Sequence, residues 1–258
     1  MIDVIVTGAA GRMGREVVKA VTAEDGMRVA VAIDPSAGVL LDDGKEGTIV
    51  TSANLTPALE SGRVLVDFTV PAAVEGTVAA ALAAGVHCVV GTTGVPFERW
   101  AQLAADAADG ACLFVAPNFA IGAVLMMRFA KTAARYMPHV EVIELHHDRK
   151  LDAPSGTAMR TAALIAAARR ETPESPGRET EVADGARGAL VDGVSVHSVR
   201  LPGLVAHQEV IFGGVGQTLS IRHDSIDRTS FMPGVVLAVR EVSARSGLVF
   251  GLEELMDL

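Results

Sequence analysis

The sequence has little of several features that mark other classes of protein. Its 258 residues include two cysteines, one tryptophan and one tyrosine, and aromatic residues make up 4% of the chain. Cys88 and Cys112 each lie in an apolar run, with neither a disulfide framework nor a metal-ligand spacing, so we expect two core residues and no metal. The net charge is −9, and the sequence has no run rich in Lys and Arg. Both features argue against a nucleic-acid partner.

Long apolar runs are also missing. The stretch AAALAAGVHCVV is too short to span a bilayer and is broken by Gly and His. The first residues enter a strand-like segment, IDVIVTG, without a charged leader or a cleavage site. We therefore expect a cytoplasmic protein with no membrane partner.

Strand-like and helix-like segments alternate through the first half of the chain. This alternation predicts a Rossmann-like α/β domain, in which a parallel sheet has helices on both faces. The predicted strands are IDVIVTG, MRVAVAID, VLVDFTV, VHCVVGTTG and CLFVAPNF, and the predicted helices cover 11–23, 71–84 and 97–108.

The pattern changes after residue 118. A helix over 121–136, the strand HVEVIELHH, a helix over 155–169 and a polar loop over 171–188 precede three alternating segments, GVSVHSVRL, AHQEVIF and QTLSIRHD. These segments predict an α+β domain with an antiparallel or mixed sheet. A last helix within 231–245 is expected to return to the first domain. We therefore assign 1–118 and 229–258 to a dinucleotide-binding domain and 119–228 to a second domain.

Gly8, Gly11 and Gly14 follow the first predicted strand, in VIVTGAAGRMGREVV. This spacing is a variant of the dinucleotide fingerprint, in which glycines let a pyrophosphate approach the backbone at a helix N-terminus. Asp34 ends the second strand, twenty positions after Gly14, where an acid suits the hydroxyls of a ribose. The pattern predicts a dinucleotide cofactor.

The sequence leaves the choice between NADH and NADPH open. Asp34 would repel a 2′-phosphate, and Pro35 offers no positive charge. Arg12, inside the glycine turn, could reach an adenosine phosphate. We expect NADH to be used and NADPH to be accepted as well.

The carboxyl ends of the later parallel strands should line the nicotinamide half of the cofactor site. Small and hydroxyl-bearing residues there suit close backbone contacts to a ring amide and a ribose. The segments concerned are 68–69, 91–93 and 116–119.

The stretch ELHHDRKLDAPSGTA, residues 144–158, concentrates proton-carrying and anion-binding groups. His146 and His147 end a strand, Lys150 follows in a short loop, and Ser155 is placed to cap a helix. The amides of Gly156 and Thr157 would lie in the first helical turn, where N–H groups are available to a carboxylate. This segment predicts a site for a small dianion that is protonated during reaction. The other histidines are expected to be structural or surface residues. His207 and Arg200 flank a Pro-Gly turn, and a role for them beside the substrate stays open.

Read in order, these stretches resemble one family. GAAGRMG, VDFTVP, GTTG, APNFAIG, ELHHDRKLDAPSGTA and SIDRTSFMPGV together are similar to the dihydrodipicolinate (4-hydroxy-tetrahydrodipicolinate) reductases of bacterial lysine and diaminopimelate biosynthesis. The resemblance implies NAD(P)H-dependent reduction of 4-hydroxy-tetrahydrodipicolinate to tetrahydrodipicolinate, by hydride transfer and protonation. It also implies a homotetramer assembled through the second domain, which binds the substrate.

The resemblance implies a role for each matching residue. His146 would be the proton donor and acceptor, and Lys150 the second proton donor. His147 would contact the substrate, with Gly156 and Thr157 on one of its carboxylates. The residues that would hold the cofactor are Gly8, Ala9, Ala10, Gly11, Arg12, Met13, Asp34, Gly91, Thr92, Thr93, Ala116, Pro117, Asn118 and Phe119.

Two departures and two alternatives accompany this interpretation. Many members have Glu-Arg where this chain has Asp34-Pro35. The segment LVAHQEVIF replaces a Gly-Glu-His-Thr segment, so we assign no site residue within LVAHQEVIF.

The alternatives are another Rossmann-type dehydrogenase of amino-acid metabolism and a non-enzymatic NAD(P) sensor. A sensor would have no use for the His-His-x-x-Lys cluster, which favours an enzyme.

Overall fold

The computed structural model describes residues 1–45, 47–173 and 180–256. The chain forms two compact units, one made of Met1–Ile121 with Arg228–Leu258 and the other of Gly122–Asp227.

The described residues form thirteen strands and six α-helices. The strands are β1 (Ile2–Thr7), β2 (Met27–Ile33), β3 (Leu40–Asp42), β4 (Thr48–Ser52), β5 (Val64–Asp67), β6 (His87–Val90), β7 (Cys112–Val115), β8 (His139–His146), β9 (Ala189–Val191), β10 (Val194–Arg200), β11 (Ala206–Gly214), β12 (Gln217–Ser225) and β13 (Gly247–Phe250). The helices are α1 (Arg12–Ala23), α2 (Pro71–Ala83), α3 (Phe97–Ala105), α4 (Ile121–Ala133), α5 (Gly156–Ala168) and α6 (Met232–Glu241).

The first unit is built on an eight-stranded sheet in the order β13-β7-β6-β5-β1-β2-β4-β3. Every pairing is parallel except that of β3 with β4. All four residues of β5 and of β7 are buried, as expected for strands covered on both faces. The predicted Rossmann-like α/β fold is confirmed.

Helix α1 packs through a narrow apolar stripe. Val17, Val18 and Val21 are fully buried, at the helical spacing that the sequence predicted. Gly14 lies on the same face, where a Cβ atom would overlap the Gly8 carbonyl oxygen and lie 2.7 Å from Ala9 Cα. Glycine is therefore required for the first turn of α1 to lie against the end of β1.

The second unit contains a five-stranded sheet in the order β12-β11-β8-β10-β9. Strands β8 and β10 pair in parallel and the other pairs are antiparallel, so the predicted mixed sheet is confirmed. Helix α5 covers one face and contacts β8, β9 and β10. Its buried residues are Ala158, Thr161, Ala162 and Ile165.

Several predicted boundaries were wrong. The segment VLVDFTV forms a strand only as far as Asp67, because that carboxylate accepts hydrogen bonds from Thr69 and turns the chain. The helix predicted over 121–136 ends at Ala133. Strands β3, β4, β9 and β13 were not predicted, since none has more than five residues. The loop predicted over 171–188 contains no helix or strand in 171–173 and 180–188, and 174–179 lie outside the described residues.

Both cysteines are free and buried in the first unit, as predicted. Burial raises the pKa of Cys112 to about 11 and raises the pKa of Cys88 further, so both thiols stay protonated near neutral pH. No helix in the described parts of the chain is long and apolar enough to cross a membrane.

Gly14→Ala should destabilise the first unit by about 1–3 kcal/mol, because the added methyl group has no space against Gly8 and Ala9. Gly76→Ala is the matched control. Gly76 lies inside α2 with nothing within 4 Å of an added Cβ, so alanine should stabilise the protein by about 0.5–1 kcal/mol. Urea unfolding of both variants measures the difference. Equal stabilities would contradict the close approach at Gly14.

Candidate active site

The glycine turn between β1 and α1 has the geometry that an anion site needs. Gly8 has a φ of +70°, and a Cβ there would lie 2.9 Å from the Phe68 carbonyl oxygen. The Gly11 amide donates to the Gly8 carbonyl at 3.0 Å, and Gly11 caps α1 without a side-chain hydrogen bond. Arg12 and Met13 begin the helix, and Ala9 is buried. The turn therefore places backbone and a helix N-terminus where a pyrophosphate would lie.

Asp34 is held at this turn. Its Oδ2 atom accepts a hydrogen bond from the Ala10 amide at 3.0 Å, and its Oδ1 atom accepts one from the Ser36 amide at 3.0 Å. Asp34 is only partly buried. The structure thus brings the predicted ribose-binding acid to the glycine turn and fixes its orientation.

A buried carboxylate that the sequence interpretation did not single out holds the neighbouring loops together. Asp67, at the end of β5, has no solvent exposure. It accepts hydrogen bonds from the hydroxyl groups of Thr7 at 2.6 Å, Thr69 at 2.9 Å and Thr92 at 2.7 Å, and from the Thr69 amide at 3.1 Å. Asp67 therefore joins the carboxyl ends of β1, β5 and β6.

The other residues predicted to contact the cofactor lie at the ends of β6 and β7. A Cβ at Gly91 would overlap the Phe68 ring, so glycine is required there, whereas Thr93 is exposed. At the end of β7, Ala116 is buried, Pro117 is exposed and the Asn118 side chain accepts a hydrogen bond from the Ala120 amide at 2.9 Å.

Phe119 belongs to the core of the first unit. It is 2% exposed, and its ring centroid lies 5.6 Å from that of Phe68 and 5.9 Å from that of Phe114. A cofactor contact at this position would therefore be made by the backbone.

In the second unit, His146 is the last residue of β8, and its imidazole ring contacts a buried carboxylate. Its Nδ1 atom lies 2.5 Å from Oε2 of Glu144, two residues earlier on the same face of the strand. Glu144 is completely buried and also receives two hydrogen bonds from Arg200, at 2.7 and 2.8 Å. This arrangement engages Nδ1 of the His146 ring with the Glu144 carboxylate.

His147 and Lys150 follow in a turn closed by a hydrogen bond from the Lys150 amide to the His147 carbonyl at 3.1 Å. The Nδ1 atom of His147 is buried without a hydrogen-bond partner among the described residues. The Lys150 Nζ atom lies 2.8 and 2.9 Å from the two carboxylate oxygens of Asp152.

Helix α5 begins as the sequence predicted. Ser155 is the N-cap, and its Oγ atom accepts a hydrogen bond from the Ala158 amide at 3.2 Å. Gly156 and Thr157 are the first two helical residues, and nothing lies within 4 Å of a Cβ built on Gly156. The backbone at this helix N-terminus is therefore accessible to an anion on the Gly156 side.

The charges around His146 act in opposite directions. Burial is the largest influence on the pKa of His146, and with Lys150 and Arg200 it holds that pKa below the ordinary value although the bond to Glu144 raises it. Burial also acts to raise the pKa of Glu144, but hydrogen bonds from Arg200, Ser198 and His146 outweigh it and the pKa is lowered. Both directions favour an anionic Glu144 and a neutral His146 near neutral pH.

Glu144 and Asp67 received no role from the sequence, and Arg200 was left as an open alternative. Strand alternation could have found Glu144, because Glu-x-His on a strand places both side chains on one face. The contact of Arg200 with Glu144 depends on the parallel pairing of β8 with β10, between residues 56 positions apart. Local patterns do not reveal such a pairing.

Two further features of the second unit involve other side chains. A cavity of about 820 Å³ is lined in part by Glu141, Arg169 and Arg187 and includes none of the predicted site residues. His207 lies 2.6 Å from Asp224 through its Nδ1 atom. Within 1–45, 47–173 and 180–256, no group of three or more His, Cys, Asp or Glu side chains could hold a metal ion.

Two family profiles match consecutive parts of the chain. The family profile of the dihydrodipicolinate reductase N-terminus matches residues 2–119, and that of the C-terminus matches residues 122–256. The chain belongs to the dihydrodipicolinate reductase family. Members of this family use a nicotinamide dinucleotide.

Relatives match along nearly the full length. The 4-hydroxy-tetrahydrodipicolinate reductase of Mycolicibacterium vanbaalenii is 51% identical over 257 residues, covering 98% of each chain. That of Halalkalibacterium halodurans is 50% identical over 264 aligned positions, covering 100% of each chain. A solved dihydrodipicolinate reductase from Paenisporosarcina sp. TG-14, with dipicolinate bound, has a TM-score of 0.87 and 43% identity, covering 99% of this chain and 100% of that one.

Thr92→Val should lower the free energy of unfolding by about 1–3 kcal/mol, because the buried Asp67 carboxylate loses a hydrogen-bond donor. Thr48→Val, at an exposed position of β4, is the control and should change stability by less than about 0.5 kcal/mol. Urea unfolding followed by circular dichroism measures both. If the two variants lose the same amount, Asp67 does not depend on Thr92.

Proposed function

We propose that this chain reduces 4-hydroxy-tetrahydrodipicolinate to tetrahydrodipicolinate with NADH or NADPH, in lysine and diaminopimelate biosynthesis. The observation that carries the proposal is the cluster within 144–157, where a carboxylate-bound imidazole, a lysine and a capped helix N-terminus occur together. Membership of the reductase family supports the reaction itself.

The substrate has two carboxylates, and the second unit offers a separate group for each. We assign one carboxylate to the N-terminus of α5, at Gly156 and Thr157. We assign the other to His147 and Lys150. The pair between Lys150 and Asp152 is partly exposed to water and so contributes only about 0–1 kcal/mol, which lets a substrate carboxylate replace it. The relative from Paenisporosarcina binds dipicolinate, a ring with two carboxylates.

The first unit fits a dinucleotide. The glycine turn at 8–14 has no space for side chains at Gly8 and Gly14, and Asp34 is fixed beside it. We assign the pyrophosphate to residues 8–13, a ribose to Asp34, and the nicotinamide half to 91–93 and 116–119. When bound, the nicotinamide supplies a hydride to an electrophilic carbon of the substrate.

The chain supplies the proton that completes the reduction. A neutral His146 whose Nδ1 atom is engaged with the Glu144 carboxylate can take up a proton and pass it on near neutral pH. Lys150 is the second donor in this proposal. The positive charge around the site also stabilises the negative charge of the dianion as the reaction proceeds.

A coupled assay with variants tests this function. The purified protein receives freshly generated condensation product of pyruvate and aspartate semialdehyde, and nicotinamide absorbance is followed. His146→Gln and Lys150→Ala should each lower kcat by about 10²–10⁴-fold, while the Kd for the dinucleotide stays within about threefold. His139→Gln, an exposed position on the same strand, should retain full activity. Cofactor oxidation by neither nucleotide, despite binding, would refute the reductase assignment.

Asp34→Asn should shift the preference toward NADPH. The asparagine keeps an acceptor for the Ala10 amide but removes the charge that repels a 2′-phosphate. We expect the ratio of kcat/KM for NADPH to that for NADH to rise about tenfold, equivalent to about 1.4 kcal/mol. Asp109→Asn, at an exposed position of the same unit, should leave the ratio unchanged. An unchanged ratio in Asp34→Asn would show that Asp34 does not contact the ribose.

A homotetramer assembled through the second unit and a cytoplasmic location are parts of the same proposal. They rest on the family resemblance and on the sequence, and light scattering of the purified protein tests the assembly.

A further inference from the structure

Glu144 is the most completely enclosed charged group of the second unit's predicted site. It has no solvent exposure, yet its pKa is lowered, because it accepts hydrogen bonds from the side chains of Arg200, Ser198 and His146 and from the Ser155 amide. Oε2 faces His146 Nδ1 at 2.5 Å and Arg200 Nη1 at 2.8 Å. Oε1 faces Arg200 Nη2 at 2.7 Å and the Ser155 amide at 3.2 Å. The carboxylate therefore contacts three different chain segments.

Arg200 completes the arrangement through the sheet. In the parallel pairing of β8 with β10, Arg200 is the register partner of His146. The Arg200 guanidinium forms a bidentate pair of hydrogen bonds with the Glu144 carboxylate. Its Nη2 atom also donates to the Asp152 carbonyl at 2.7 Å. Arg200 thus fixes both the carboxylate and the loop that carries Lys150 and Asp152.

We propose that Glu144 and Arg200 are positioning residues of the reductase: Glu144 holds His146 with a proton on Nδ1, so that Nε2 is the atom that exchanges a proton with the substrate, and Arg200 holds Glu144. The inference rests on the proposed function, in which His146 carries the proton. Neither residue touches the substrate in this scheme.

The proton balance follows from this tautomer. His146 takes a proton from solvent onto Nε2 and becomes a cation, while Nδ1–H stays bonded to Glu144. The 4-hydroxyl group of the substrate leaves as water, and the conjugated ring that remains accepts a hydride. The Nε2–H bond then breaks, and the electron pair of the resulting enamine forms the new C–H bond. His146 returns to the neutral Nδ1–H form, ready for another proton.

The presence of Arg200 explains how a buried carboxylate can orient His146 without keeping it permanently protonated. Two charge-assisted hydrogen bonds from Arg200 already neutralise Glu144. Burial, and the positive charges of Lys150 and Arg200, favour the neutral imidazole. A bound dianion would act in the opposite direction, so proton uptake at Nε2 would accompany substrate binding.

The contact with Ser155 extends the effect to substrate binding. Ser155 is the N-cap of α5, and its own amide is bonded to Glu144. The Glu144 carboxylate therefore sets the position of His146 relative to the N-terminus of α5. That N-terminus is the group to which we assign one carboxylate of the substrate. A change at Glu144 should affect kcat more than KM, because the helix retains its side-chain cap.

The test compares two glutamates on one strand. Glu144→Gln should lower kcat by about 10²–10⁴-fold, since an amide at that position favours the opposite tautomer of His146, and dinucleotide affinity should be unchanged. Arg200→Lys keeps the positive charge but cannot form the bidentate pair of hydrogen bonds, so it should lower kcat by about tenfold. The control is Glu141→Gln, because Glu141 also contacts a histidine and an arginine, His197 and Arg187, but lies outside the proposed site. It should change kcat by less than twofold.

Nitrogen NMR of the histidine rings in the unaltered protein keeps the inference testable if Glu144→Gln does not fold. We expect His146 as the Nδ1–H tautomer in the resting protein, and as Nε2–H in Glu144→Gln. An Nε2–H tautomer in the unaltered protein would overturn the inference. So would a Glu144→Gln variant with near-normal kcat while His146→Gln is inactive, although the proposed function would stand. A protein with the Nδ1–H tautomer but no reductase activity would refute the proposed function instead.

Discussion

A carboxylate that is cut off from water must be surrounded by donors, and in each unit one such group organises the residues beside it. In the second unit Glu144 accepts hydrogen bonds from Arg200, His146 and the Ser155 amide. In the first unit Asp67 does the same with three threonine hydroxyls. Loss of one donor from a buried charge costs more than an ordinary hydrogen bond contributes, so these groups fix the loops that they join.

This constraint reconciles an acidic chain with an anionic substrate. The net charge of −9 does not attract dianions, and the proposed binding site relies on a local group of donors. Within that group, the Arg200 charge is largely committed to Glu144, and burial keeps His146 neutral at rest. Lys150 and the N-terminus of α5 remain to attract carboxylates, and the imidazole remains able to gain a proton. Binding and proton transfer are thus divided among different groups of one short segment.

The sequence predicted those parts of the structure that depend on local patterns. Apolar runs marked the buried strands of the parallel sheet, the glycine spacing marked the turn before α1, and Ser155 was identified as the cap of α5. Short edge strands such as β3 and β13 were not found, because three or four residues show no period. The partners of Glu144 and Asp67 were not found either, since they come from strands far apart in the chain. Such contacts appear only when strand order is known.

The central claim is that this chain transfers a hydride from a nicotinamide dinucleotide to its substrate and adds a proton. The most direct test is to run the reaction with cofactor that carries deuterium at the transferable C4 position and to weigh the product. Tetrahydrodipicolinate that contains one deuterium is the predicted result. Cofactor oxidation without deuterium in the product, or no product with either NADH or NADPH, would contradict the claim.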